Sequence, residues 1–153
     1  MNWKIFVWRA IGGGLAIFAM HFYAGEHHMQ VAFVPFATSI VLVLGSPNAT
    51  PAQPRAVIGG HLVSTLTGLA VGLIAGPSPL AASIAVGLAI FAMFATRTMH
   101  PPAGIDPLII VNDSMTWTYF FDPVLFGVLL LVGFAYIWHN APVGERRWPK
   151  EWW

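Results

Sequence analysis

Apolar residues gather into long runs separated by short polar connections rich in proline and glycine. Four runs, residues 5–24, 56–76, 80–96 and 120–139, have roughly the 20 apolar residues a helix needs to cross a bilayer. Two more are apolar but short: residues 31–45, which contain Pro35, and 103–112, which follow Pro101 and Pro102. Short or proline-broken apolar segments point to discontinuous helices around a substrate site, or to ordinary helices extended by polar flanks. The pattern predicts an all-α, polytopic helical membrane protein with four full transmembrane helices plus two short or broken, re-entrant segments. Residues 1–153 read as one membrane-embedded domain with short tails at 1–4 and 140–153. The basic start (Lys4, Arg9) is signal-peptide-like, but no small-x-small cleavage site follows, so this run is expected to stay as a first helix.

Composition then removes whole classes. The chain is 57% hydrophobic and 8% charged, whereas soluble domains carry about 25% charged residues, so a soluble enzyme and a disordered chain are excluded. A net charge of +1 offers no footprint for nucleic acid. Without cysteine there is no disulfide scaffold, Cys zinc site or iron–sulfur cluster. No phosphate-binding glycine loop, His-Glu-x-x-His or Gly-x-Ser-x-Gly is present, so neither a cofactor nor enzymatic activity is expected.

Charge placement predicts orientation. Lys4, Arg9, Arg146, Arg147 and Lys150 lie in the tails, while connections 25–30, 77–79 and 113–119 contain no Lys or Arg. By the positive-inside rule both termini are cytoplasmic, in a cell (inner) membrane. Trp3, Trp8, Trp148, Trp152 and Trp153 mark headgroup depth. Gly60, Ser64, Gly68, Gly72 and Gly76 put a small residue at every fourth position of one run. Such a stripe permits close backbone approach: helix packing within the chain first, an oligomer interface or pathway wall second. Having few helices to enclose a pore, the chain is expected to form a homo-oligomer.

The polar residues at membrane depth fall in two clusters. One is Gln53-Pro54-Arg55 running into Gly59-Gly60-His61; the other is Thr96 through Gly104 running into Asp106-Pro107. Pro54 and Pro102 each suit the first turn of a helix, and a helix start offers unpaired N–H groups to an anion. Each start lies beside an arginine and near a histidine. The candidate substrate-binding residues are therefore Arg55, His61, Arg97, His100, Pro101, Pro102, Gly104 and Asp106. The plainer alternative makes the arginines topology markers and His61 a hydrogen-bonded packing residue. An aspartate at helix centre costs about 2.5–3.5 kcal/mol, so Asp106 should be protonated, face water, or pair with Arg97 or His100. Asp122-Pro123 reads as the start signal of the last helix.

Three stretches, Pro35-Phe36-Ala37-Thr38-Ser39 with Val41-Leu42, Ala52-Gln53-Pro54-Arg55 with Gly59-Gly60-His61, and Thr96-Arg97-Thr98-Met99-His100-Pro101-Pro102-Ala103-Gly104, resemble in order the HPP family of small integral membrane proteins. The similarity covers about residues 31–140. It implies four membrane-spanning segments and, from chloroplast and cyanobacterial members, transport of nitrite. This chain departs from the family after Gly104, where Ile105-Asp106-Pro107 replaces small residues and threonine; a carboxylate there would repel an anion unless neutralised. Some relatives append a cytosolic CBS regulatory domain; none is expected here, as only about a dozen residues follow the last run. The expected function is a membrane transporter or channel for a small monovalent inorganic anion, nitrite first. A histidine, with its ordinary pKa of about 6.5, could couple proton and anion movement. The alternatives are a metal or other cation transporter, built on His21, His27, His28 and Met29, and an accessory membrane subunit. The expected partners are the lipid bilayer, the anion and further copies of the chain.

Overall fold

The computed structural model describes residues 2–26, 31–143 and 147–153. His27, His28 and Met29, the soft-metal candidates, and Arg146 lie outside the described residues. Among these residues the structure is all helical. Helices α1 (Trp3–Glu26), α2 (Val34–Gly45), α3 (Pro54–Ala75), α4 (Pro79–Ala95), α5 (Asp106–Asn112), the short α6 (Trp117–Tyr119) and α7 (Phe126–Asn140) follow in order. Short 3₁₀ turns precede α2, α3 and α5.

Proline starts these helices where its missing N–H costs nothing: Pro35, Pro54, Pro79 and Pro107 all sit in first turns. Ser78 caps α4 by accepting the Ala81 N–H at 3.1 Å. At the other end of α4, Thr98 N–H reaches Met93 O at 2.9 Å and Arg97 N–H reaches Phe94 O at 3.1 Å. That is a Schellman ending, with Arg97 in the left-handed position at φ 56° where glycine is usual. As expected, Asp122-Pro123 marks a helix start: the helical turns from Trp117 end in a kink, and the helix that runs on to Asn140 restarts at Pro123, after extended backbone at Asp122 (φ −137°, ψ 116°). Its carboxylate accepts Tyr23 Oη at 3.0 Å, tying the kink to the far end of α1.

Three helical stretches, Trp3–Gly25, Pro54–Ala75 and Trp117–Asn140, are long and apolar enough to cross a membrane. The fourth expected span, α4, has 17 residues, at the short limit of the usual range. The two short segments do not turn back as re-entrant loops would. Phe33, entering α2, meets Tyr23 near the end of α1 at 5.7 Å between rings. Val43, near the end of α2, accepts from His139 Nε2 at 3.0 Å near the end of α7. With 12 residues and a length of about 18 Å, α2 thus carries the chain back toward the end where α3 begins.

The segment from His100 to Val111 runs alongside α3, and the small-residue stripe is its seat. A Cβ on Gly60 would meet His100 Cβ at 2.5 Å, and one on Gly68 would meet Pro107 Cα at 2.8 Å. Between them Ser64 Oγ donates to Ala103 O at 2.5 Å, and Gly72 lies opposite Val111. The stripe is used for packing within the chain. Both chain ends meet at one end of the bundle. Trp8 and Trp138 stack there at 4.1 Å, and Trp148 is buried beside His139. Outward faces are apolar, as at Phe18, Ile74 and Ile137, which suits contact with lipid.

Candidate functional site

Nine described polar side chains are buried, and four of them form one continuous line. Asp106 Oδ2 lies 2.7 Å from His61 Nδ1. His61 Nε2 lies 2.9 Å from Ser39 Oγ, which lies 2.8 Å from His100 Nε2. His100 Nδ1 then lies 2.6 Å from Pro51 O. All four side chains are fully buried.

Local sequence explains how each is held. Ser39 lies one helical turn past Pro35, and its hydroxyl reaches back to Pro35 O at 2.8 Å. His61 is clamped by Phe36, stacked at 4.8 Å and 6°. His100 precedes two prolines, so its backbone is extended (φ −133°, ψ 95°). The bare face of Gly60 admits its side chain. The 3₁₀ turn Pro101–Ile105 then delivers Asp106 one turn inside, at the start of α5.

The expected partner of Asp106 is corrected here: it is His61, not Arg97 or His100. A charged residue at this depth requires a partner, and α3 lies beside α5 whereas Arg97 is exposed at the end of α4. His61 and His100 come together, with ring centroids 5.1 Å apart. Arg55 is separate from the buried line: its Nη2 donates to Thr96 O at 3.2 Å and its guanidinium lies 5.7 Å from the Trp153 ring. It thereby brings the start of α3 and the Arg97 turn to the same end of the bundle. Pro102 is buried, Gly104 is half-buried and Pro101 is exposed; they shape the turn between His100 and Asp106. Ser39 and the Pro51 carbonyl were missed among the candidates. The available signal was the hydroxyl pair Thr38-Ser39 within a short, proline-containing apolar run.

Thr65 also lies against the Asp106 carboxyl, while Asp106 Oδ1 has no hydrogen-bond partner. Among the described residues no group of three His, Asp or Glu side chains is placed to hold a metal ion. The chemistry this line offers is proton exchange in a site closed to water, with Arg55 and the exposed Arg97 at the nearby end.

The model of the HPP transmembrane region matches residues 1–149 of the chain. Two transmembrane proteins of Dictyostelium discoideum are similar. One is 33% identical over 156 residues, covering 95% of this chain and 54% of the relative. The other is 33% identical over 150 residues, covering 92% and 48%. The chain spans about half the length of these curated relatives. No solved structure matches it.

Proposed function

The chain belongs to the HPP transmembrane family, and from that premise we propose that it carries a small monovalent inorganic anion, nitrite first, across a cell membrane. The observation that carries this reading is the Arg55–Thr96 contact, 3.2 Å long. It gathers two arginines, the N-terminus of α3 and the His100 turn at one end of an otherwise apolar bundle. Fixed guanidinium groups and a helix start attract an anion and can bind its oxygens in a plane. The neighbouring aspartate is engaged by His61 at 2.7 Å within the buried line rather than turned toward the arginines.

Lys4, Arg9, Arg147 and Lys150 share this end with Arg55 and Arg97, which by the positive-inside rule supports reading it as the cytoplasmic face. In this reading the anion meets the protein there, and the closed His61–His100 region is an occluded state. Purified protein in liposomes, assayed for uptake of nitrite, nitrate, formate and chloride, tests it. Saturable uptake that favours a two- or three-oxygen anion is expected. Uptake no faster than in protein-free liposomes for every anion would overturn the reading.

A further inference from the structure

We propose that Asp106, His61, Ser39 and His100 are a proton relay whose exchange point is the Ser39 hydroxyl, and that it links one proton to each anion moved. The relay stands on hydrogen-bond geometry alone; the link to an anion rests on the transport reading above.

The direction of each hydrogen bond follows from counting protons. A carbonyl only accepts, so the 2.6 Å contact with Pro51 O places a proton on His100 Nδ1. Ser39 has one hydroxyl proton, yet its Oγ lies within 2.9 Å of both Nε2 atoms and 2.8 Å from Pro35 O. If both Nε2 atoms were bare, two buried imidazole nitrogens would compete for that single proton, and leaving one unsatisfied costs about 1–3 kcal/mol. One Nε2 therefore carries a proton of its own. An arrangement in which Ser39 donates to Pro35 O and both Nε2–H groups donate to Ser39 needs one proton more. With the Ser39 proton withheld from Pro35 O, two arrangements satisfy every contact from Asp106 to Pro51. In one, His61 Nε2–H donates to Ser39, and Ser39 donates to His100 Nε2. In the other, His100 Nε2–H donates to Ser39, and Ser39 donates to His61 Nε2.

These arrangements interconvert without moving a side chain. The N–H bond of His61 breaks as its proton joins Ser39 Oγ, and the Ser39 O–H bond breaks as its proton joins His100 Nε2. Two bonds break, two form and nothing is oxidised or reduced; total charge is unchanged, but the end state holds Asp106 as a carboxylate and His100, protonated on both ring nitrogens, as an imidazolium. Asp106 matches the one extra proton, either as a carboxylate beside an imidazolium or by holding the proton itself across the 2.7 Å contact. The net result moves one proton from the Asp106 side toward Pro51, the end that carries Arg55 and Arg97. Around the line, α2 contributes Ser39, α3 contributes His61 and Thr65, and α6 contributes Tyr119, which lies within the field of Asp106. The Tyr119 hydroxyl is directed at Ala32 O, 3.4 Å away.

The test uses the full chain and two readouts. In protein with ¹⁵N-labelled histidine, with signals assigned by difference against His61→Gln and His100→Gln, wild type is expected to show one proton averaged over the two Nε2 atoms. Ser39→Ala should leave one Nε2 protonated and the other bare, and Ser39→Thr, which keeps the hydroxyl, should restore averaging. Both Nε2 atoms bare in wild type would overturn the relay, whether or not any serine variant folds. In liposomes with an internal pH dye, about one proton should move per nitrite taken up, and Ser39→Ala should reduce proton movement at least tenfold. Proton movement at the wild-type ratio in folded Ser39→Ala would also overturn the relay. Absence of all anion uptake, together with an averaged proton in the NMR spectrum, would overturn the transport reading and its coupling while supporting the relay.

Discussion

His100 lies so close to Gly60 that a single methyl group on Gly60 would come within 2.5 Å of the histidine Cβ and 2.9 Å of the Thr98 carbonyl. The neighbour is backbone-anchored on both sides, so it cannot swing away. Gly60→Ala is therefore expected to destabilise the protein by about 1–3 kcal/mol, the usual range for overpacking. Gly13, with nothing within 4 Å of its added Cβ, is the control. Gly13→Ala should be neutral or stabilising, since Gly costs about 1 kcal/mol in a helix interior. Thermal unfolding of both variants in detergent checks the contrast.

Both ends of the chain are expected on one side of the membrane. Trp8 Nε1 donates to Trp138 O and Trp138 Nε1 donates to Trp8 O, each at 3.1 Å, which locks the entry of α1 to the exit of α7. Cysteines placed at residues 2 and 150 should react with an impermeant reagent from the same side. Reaction from opposite sides would break this pairing. Gly12→Ala, whose Cβ would collide with the Trp138 indole, should loosen it and lower thermal stability.

Arg97 occupies a backbone conformation that favours glycine (φ 56°), a strain of about 1–2 kcal/mol. Arg97→Gly should raise the unfolding temperature and, if the guanidinium serves the anion, slow uptake. Arg97→Lys keeps both strain and charge, so it isolates the bidentate geometry of the guanidinium. Uptake at the wild-type rate in Arg55→Lys and in both Arg97 variants would reduce these residues to topology markers.

Gln53 holds the C-terminal tail to the start of α3. Its Nε2 donates to Pro47 O at 2.8 Å and Ala49 O at 3.1 Å, and its Oε1 accepts Lys150 N–H at 2.9 Å. Gln53→Ala should free residues 147–153, read as faster proteolysis of the tail and exposure of Trp148, whose fluorescence would shift to longer wavelength. An unchanged cleavage rate would show that the tail is anchored by its other contacts, among them Trp148 beside His139 and Trp153 beside Arg55.

Much of the architecture was legible because it is local. Apolar run lengths reflect bilayer thickness, and proline marks helix starts because it lacks an N–H and presets φ. The stripe from Gly60 to Gly72 announced a close approach, whereas Gly76, the last of the series, ends α3 at φ 67° with nothing packed against it. What fills the stripe was not legible. Nor was the continuation of α2 and the His100–Val111 segment along the bundle axis, because a segment too short to span is equally compatible with turning back.

The sequence by itself determined that this is a helical membrane protein of the HPP kind, with its rare polar residues confined to a few turns. It also determined that Asp106 must find a partner, because an isolated carboxylate is costly at that depth. Only the tertiary structure decided which partner. His61 and Asp106 are 45 positions apart, and Ser39 and His100 are 61 apart. Such pairs form when backbones pack at one particular register. Here the bare face of Gly60 brings His100 against α3, the turn after Pro101 places Asp106 beside His61, and α2 brings Ser39 between the two rings. Each of those approaches depends on packing between distant segments, and the spacing of residues along any one of them carries no information about it.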